Sequence, residues 1–246
     1  MKRIIVAFLF AFNFIFLSAQ NPWANYNDNL QMLDQTALDS AYEAFIQENP
    51  ELKDNQPIKA LFTKGHLTFK GIEIDGSLDD FYNKLKKEIP DLDGVIFDTG
   101  GLLKGTFAGK RGCTIILRAN TENTVMNVGV TFPAKDSWNL LKDEYDDLCL
   151  NLKLKYGEPA ATLNKYEPPF KEGDGRELQG LLQQKVSLAQ FFLVDNGYIQ
   201  VSLIKAISTE STIAEAMAKE SQGAVTIYYH DYKNNMTDEY AKYNDL

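Results

Sequence analysis

The stretch CTIILRANTENTVMNVGVTFPAKDSWNLLKDEYDDLCLNLKLKYGEP, residues 113–159, decides the fold. In its first part, apolar and polar residues alternate on both sides of the polar loop ANTENT, a pattern that predicts a β-hairpin. In its second part, apolar residues recur at intervals of three and four from Trp138 to Tyr156, which predicts an amphipathic helix. Gly157 and Pro159 mark the end of that helix. We therefore expect the helix to pack its apolar stripe on the sheet.

The same succession of a helix and then strands extends through the rest of the chain. Upstream, Ser77 is expected to cap a helix that Pro90 ends, and strand-like segments follow it. Downstream, Asp195-Asn196-Gly197 separates two alternating runs, which is a strong hairpin signal. The order of helix then strands thus occurs twice, at 77–132 and 137–230. Because the strands come in hairpins, this order predicts an α+β fold with an antiparallel sheet and two helices.

The N-terminus, residues 1–19, is predicted to be a secretory signal peptide. Lys2 and Arg3 precede a short, almost continuous apolar run that is followed by the small residues Ser18 and Ala19. The run is shorter than the roughly 20 residues that a membrane-spanning helix needs. Gln20 rather than a cysteine follows the expected cleavage point, so we expect no lipid anchor. These features predict a soluble product that is exported, either to the periplasm or to the medium.

The mature chain is expected to divide into three parts. Residues 20–57 are predicted to be an N-terminal extension, with a short helix at 36–47 and a charged, proline-containing linker after it. Residues 58–231 are predicted to form a single α+β domain. Residues 232–246 are predicted to be a polar C-terminal tail that frays from the end of the last strand.

Composition excludes one class of partner. The whole chain has a formal net charge of −9, and loss of Lys2 and Arg3 with the signal takes it from −9 to −11. Such a protein repels phosphate backbones at long range, and the sequence has no dense basic patch to offset this. We therefore expect no binding to nucleic acid.

The cysteines Cys113 and Cys149 are both expected to face the core, one from a strand and the other from the long helix. Outside the cytoplasm they could be joined, because nothing there keeps thiols reduced. The alternative is a pair of buried free thiols that act as small apolar side chains. The sequence leaves both possibilities open.

The sharpest catalytic motif is Val95-Ile96-Phe97-Asp98-Thr99-Gly100, which resembles the active-site loop of aspartic proteases. It supplies half a site only, since no second copy follows and Gly101 departs from that family's pattern. A strand ending in a tight turn explains the same residues. His66 is expected in a strand and His230 at the end of one, both as surface or strand-end histidines, and neither is accompanied by a nucleophile motif.

Acidic and aromatic clusters are weaker indications of a binding site than the motif at Asp98. The acidic residues of the long helix are expected to form a solvated face, and the loop Glu172-Gly173-Asp174-Gly175 is too short to enclose calcium by itself. No metal site and no cofactor are expected. Tyrosines near the C-terminus could form a platform for a sugar or peptide, with Tyr229 facing the core and Tyr228 facing away. The acidic residues are Asp143, Glu144, Asp146 and Asp147, and the tyrosines are Tyr228, Tyr229, Tyr232, Tyr240 and Tyr243.

Several motifs resemble those of a family of small exported proteins of unknown function from gut Bacteroidales. They are LTFKGIEIDGSLDDFYNKLKKE (67–88), GTFAG (105–109), CTIILR (113–118) and LKLKYGEP (152–159). The resemblance implies an export signal and this order of helices and hairpins, and it implies no activity. The layout also looks like that of the secreted β-lactamase inhibitory proteins, an analogy of fold that transfers no function.

The leading hypothesis is an exported, non-catalytic binding or interaction module with a protein, peptide or glycan partner. No residue is assigned a catalytic, cofactor-binding or metal-binding role from the sequence, and whether the chain is an enzyme is left open. The alternative is a secreted hydrolase that uses Asp98 or a histidine dispersed in sequence.

Overall fold

The structure is a computed structural model that describes residues 33–206 and 221–235. The expected signal peptide, the start of the extension and most of the C-terminal tail lie outside the described residues. The described part begins with two helices, a two-stranded hairpin and a third helix. These are α1 Gln35–Glu48, α2 Gln56–Leu61, β1 Thr68–Phe69, β2 Ile72–Glu73 and α3 Leu78–Glu88.

The remaining elements build one large sheet and two further helices. Four strands precede the long helix, and four follow it. In chain order they are β3 Asp93–Phe97, β4 Gly100–Phe107, β5 Lys110–Ala119, β6 Val125–Thr131, α4 Trp138–Tyr156, β7 Ala161–Tyr166, α5 Glu177–Leu182, β8 Val186–Val194, β9 Gly197–Lys205 and β10 Gly223–Asp231.

The eight strands lie in the order β3-β4-β5-β6-β10-β9-β8-β7, and every neighbouring pair is antiparallel. The two halves of the chain each supply four strands, and β10 joins them by pairing with β6 on one side and β9 on the other. The α+β class and the antiparallel sheet predicted from the sequence are therefore confirmed.

Helices α3, α4 and α5 pack on one face of the sheet and form the main core with it. From α3 and α4, Phe81, Leu85 and Leu141 are fully buried in this core. Alternate residues of the strands meet them, since successive side chains of a strand point to opposite faces. Examples are Ile115, Val130, Ile227 and Val201, which lie side by side in one cross-strand row.

The helix ends follow the sequence signals closely. The Ser77 side chain accepts a hydrogen bond from the backbone N–H of Asp80, as expected of an N-cap residue. Gly157 has a φ of 87°, a conformation open to glycine, and its N–H donates to the carbonyl of Lys153 at the end of α4. Both helices therefore begin and end where the sequence predicts.

Three elements differ from the expectations. Helix α2 begins at Gln56, within the predicted linker, because Asn55 caps it by accepting from the N–H of Ile58. Helix α5 has six residues, too few to show a helical period. Strand β7 is an almost fully exposed edge strand and so has no alternation of apolar and polar residues.

The N-terminal helices have a small apolar cluster of their own. Leu38 and Ala41 of α1 pack there with Ile58, Leu61 and Phe62, apart from the main core. We call residues 33–62 the N-terminal helical unit.

The structure does not show the frayed end that was expected after the last strand at Asp231. Residues 232–235 form a helical turn directly after β10, and Asp231, Tyr232, Lys233 and Asn234 are buried. Their polar side chains are held by backbone groups of the domain, so this part of the chain is internal rather than loose.

Candidate functional site

The sheet has a second face, opposite α3, α4 and α5, which we call the open face. Strand register places its side chains in rows that cross the sheet. The middle row is Val95, Leu102, Ile116, Gly129, Tyr228, Gln200 and Phe191. None of these side chains belongs to the main core, and most are half-buried or exposed. Tyr229 faces the core and Tyr228 the open face, as predicted from alternation.

Tyr228 lies over a gap in its own row. Gly129 on the neighbouring strand has no side chain, and the Tyr228 ring occupies the space where one would stand, 3.3 Å from the position of a Cβ atom. The ring thus rests on the sheet and remains partly accessible. Gly129 therefore has a packing role that a larger residue would disrupt.

The adjacent row is aromatic and basic. His230 lies opposite Tyr198 on β9, with ring centroids 4.5 Å apart and planes inclined by 21°. The rings of Tyr228 and Tyr232 lie 6.3 Å and 6.1 Å from His230. Arg118, which is exposed, lies in the same row on β5. The centre of the open face is thus a group of contacting rings beside a guanidinium group.

This environment changes the ionisation of His230. Burial lowers the pKa of His230 to about 4, because it outweighs the negative charge of Asp231, which raises the pKa. The positive charge of Arg118 lowers the pKa by a smaller amount. Burial also raises the pKa of Tyr228, which Arg118 partly offsets. Near neutral pH the centre of the open face therefore presents a neutral imidazole and neutral phenols next to the Arg118 guanidinium group.

Exposed apolar side chains lie at both margins of the open face. On β3, Val95 and Phe97 are 61% and 52% exposed. On the opposite side, Leu163 of β7 and Leu193 of β8 are 42% and 44% exposed. Large apolar residues so placed around an aromatic centre are unusual for a surface that contacts only water.

A separate polar cavity of about 220 Å³ lies between the N-terminal helical unit and the domain. Leu38 and Leu61 form one wall, and Glu73, Asp75 and Lys233 lie on the other side with His66. His66 is only 7% exposed. Its Nδ1 atom lies 3.2 Å from Oδ1 of Asp231, and its Nε2 atom lies 3.7 Å from Oδ2 of Asp75.

The pKa of His66 reflects opposing influences. Burial alone lowers it, but the hydrogen bond and negative charge of Asp231 and the charge of Asp75 outweigh burial, so the pKa is raised. Both ring nitrogens face carboxylates, an arrangement that suits a doubly protonated ring. A general base needs an unshared nitrogen lone pair, so this geometry favours a charge pair over a catalytic histidine.

Asp231 and its neighbours connect the cavity to the rest of the domain. The Asp231 carboxylate accepts hydrogen bonds from the backbone N–H groups of Leu67 and Asn234, at 2.8 Å and 3.0 Å. The Asn234 side chain donates to the carbonyls of Ile74 and Val125. The ammonium group of Lys233 donates to two backbone carbonyls of the segment that leads out of the N-terminal helical unit, Thr63 and Gly65.

Sequence reasoning missed this cluster. The polar composition after Asp231 predicts a loose tail, although alternation through β10 places Asp231 itself on the core face. A buried position followed by Lys233 and Asn234 was the available signal, because polar residues on a core face require partners.

The structure separates the other candidate residues. Asp98 is exposed in the two-residue turn between β3 and β4, and strands β4, β5 and β6 lie between β3 and β10, which carries His230. Asp174 of the 172–175 loop is engaged within it, accepting from the backbone N–H groups of Lys171 and Arg176. The strand order therefore keeps Asp98 and His230 on strands that are not neighbours.

The acidic residues of α4 do not share one environment. Asp143, Asp146 and Asp147 are exposed, as expected, but Glu144 is only 8% exposed. Its carboxylate oxygens have no hydrogen-bond partner, and the ammonium groups of Lys110 and Lys135 lie 3.6 Å and 3.9 Å away. The expectation that Glu144 belongs to the solvated face is corrected.

Cys113 and Cys149 are both buried and both free. Burial raises the pKa of both thiols, to about 11 for Cys149. They are small members of the main core, the second of the two possibilities left open by the sequence.

Over the described residues, no cluster of three or more His, Cys, Asp or Glu side chains has an arrangement suited to a metal ion. Within residues 33–206 and 221–235, no helix has the length and apolar character needed to cross a membrane. Tyr240 and Tyr243 lie outside the described residues.

Comparisons with known proteins found no relative. No protein-family model matches the chain, and neither the curated proteins nor the solved structures contain a match. The resemblance to exported Bacteroidales proteins and the layout like the β-lactamase inhibitory proteins therefore stay predictions.

Proposed function

We propose that this chain is a non-catalytic binding module whose open face docks a protein partner. The observation that carries the proposal is the aromatic and basic centre of that face, Tyr198, Tyr228, His230 and Arg118, between two exposed apolar margins. Tyrosine and arginine are the residues that most often carry binding energy at protein interfaces.

The shape and composition of the face favour a protein over a glycan. The two rings of the Tyr198–His230 pair cover each other, which leaves fewer ring faces for a sugar to stack on. The margins carry Val95, Phe97, Leu163 and Leu193, which suit apolar side chains of a protein partner. Aromatic residues are also enriched in the core of protein interfaces, where charged residues are depleted.

The experiment compares variants on the two sides of the sheet. Arg118→Glu reverses a charge at the centre of the open face, and Val95→Thr removes apolar surface from its margin while keeping a β-branched residue. The control is Leu154→Asp on α4, because Leu154 is 77% exposed and belongs to the helix that covers the other face. Circular dichroism and thermal melts establish that each variant is folded.

Immobilised wild type and variants are exposed to native envelope and medium fractions and to a glycan mixture. We expect a protein that is retained by wild type and Leu154→Asp but lost from both open-face variants. If Arg118→Glu and Val95→Thr retain the same protein as wild type, the binding surface lies elsewhere. If wild type and Leu154→Asp instead retain a glycan that both open-face variants lose, the partner is a glycan and not a protein.

Export is proposed as the setting for this function. Lys2, Arg3, the apolar run after them and Ala19 support it. The test is the intact mass of the protein purified from its native source, which should begin at Gln20 in a soluble fraction. Recovery of a chain that retains Met1 in the envelope would contradict it.

A further inference from the structure

Polar contacts hold the segment that leaves the N-terminal helical unit on the domain, in contrast to the apolar packing inside each part. Its own apolar cluster is separate from the main core. The segment 63–67 that leaves it is held by the Asn196 side chain on the carbonyl of Lys64, by Lys233 on two carbonyls, and by Asp231 on the N–H of Leu67. These groups come from the β8–β9 turn, from the end of β10 and from the 232–235 turn that follows it.

His66 lies at the centre of this attachment. Asp231 of β10 faces one ring nitrogen, and Asp75 of the loop after β2 faces the other. The charged groups Lys233 of the 232–235 turn, Glu73 of β2 and the exposed Lys64 of the 63–67 segment also line the cavity, and Glu73 accepts from the His66 N–H. The α1 and α2 side contributes the apolar Leu38 and Leu61.

We propose that His66, Asp231, Asp75 and Lys233 form a pH-sensitive latch that holds the N-terminal helical unit on the domain and loosens when His66 loses its proton as the pH rises. With the ring protonated, one cation bridges two carboxylates, of which Asp231 is completely buried. Loss of that proton leaves the buried Asp231 and the nearby Asp75 with Lys233 as the remaining cation in the cluster.

The linkage between proton binding and latch stability gives the direction of the pH dependence. The pKa of His66 is raised in the folded protein, so the latched state binds the proton more tightly than a state in which His66 is exposed. The stabilisation is fully present below the ordinary histidine pKa and is lost as the pH passes through the raised value. The chain's other histidine, His230, has its pKa lowered to about 4 and stays neutral across the same range.

The test is hydrogen exchange of the full mature chain between about pH 6 and about pH 8, the range in which a perturbed histidine titrates. The reporting amides are those of Leu67 and Asn234, which donate to Asp231. Measured rates are divided by intrinsic rates at each pH, and amides of β9 serve as the reference for global opening. We expect protection of Leu67 and Asn234 to fall by at least about twofold relative to β9 as the pH rises.

Two variants separate His66 from other titrating groups. His66→Gln should remove the pH dependence, and His230→Gln should leave it unchanged. A flat wild-type profile, or a pH dependence that survives His66→Gln, would overturn the latch. If His66→Gln proves unfolded, a flat wild-type profile still overturns the latch.

Discussion

His230 and Tyr198 stack face to face across β10 and β9, with ring centroids 4.5 Å apart. The stack buries much of an imidazole on the open face of the sheet and disfavours its protonated form, which lowers the pKa of His230 to about 4. The proposed binding surface thus also contains a group whose protonation in acid destabilises the folded protein.

The first prediction concerns stability in acid. Because the folded-state pKa of His230 lies below the unfolded value, its contribution to stability is fully present above the unfolded pKa and is lost as the pH falls toward about 4. Between about pH 7 and about pH 4, the free energy of unfolding should therefore fall by roughly 1–3 kcal/mol less in His230→Gln than in wild type. Urea denaturation at several pH values measures it, and an unchanged acid sensitivity in His230→Gln would contradict it.

The second prediction concerns Glu144. A buried carboxylate without hydrogen bonds, with ammonium groups no closer than 3.6 Å, loses more in desolvation than it gains from charge attraction. Glu144→Met should raise the free energy of unfolding by about 1–2 kcal/mol. Asp147→Ala, on the exposed side of the same helix, should have no measurable effect. A clear loss of stability in Glu144→Met would show that the two lysines compensate the charge.

The third prediction concerns the thiols. Cys113 and Cys149 are 0% and 6% exposed, and burial raises the pKa of each. Since the thiolate is the reactive form, neither should react with a thiol reagent in the folded protein under non-reducing conditions, and both should react after unfolding. Rapid labelling of either cysteine in the native protein would show that the main core is opened there. An absence of labelling after unfolding would instead indicate a bond between them.

The fourth prediction separates the two sides of α4. Leu141 is fully buried, whereas Leu154 is 77% exposed. Leu141→Ala should lower the free energy of unfolding by about 2–5 kcal/mol, the usual cost of a cavity in a core. Trp138→Ala should cost less than a fully buried aromatic residue, because Trp138 is only half-buried at the helix start. Chemical denaturation measures each, and a small effect of Leu141→Ala would contradict the helix-on-sheet core.

The sequence by itself determined the α+β class, the long helix α4 and the β5–β6 and β8–β9 hairpins. These features depend on the local period of apolar residues and on caps and turns such as Ser77, Gly157 and Asn196, which act over a few neighbouring residues. Alternation also placed Tyr228 and Tyr229 correctly on opposite faces. In each case, the information lies within a single element.

Only the tertiary structure decided which distant residues meet. The insertion of β10 between β6 and β9 brings His230 to Tyr198 and joins the two halves of the sheet. The same pairing carries Asp231 to His66, 165 positions earlier in the chain, and buries a segment whose polar composition predicted a loose tail. Strand order is set by long-range pairing and burial, which leave no local periodic pattern, so the open face and the polar cluster at its end emerge only once the chain has folded.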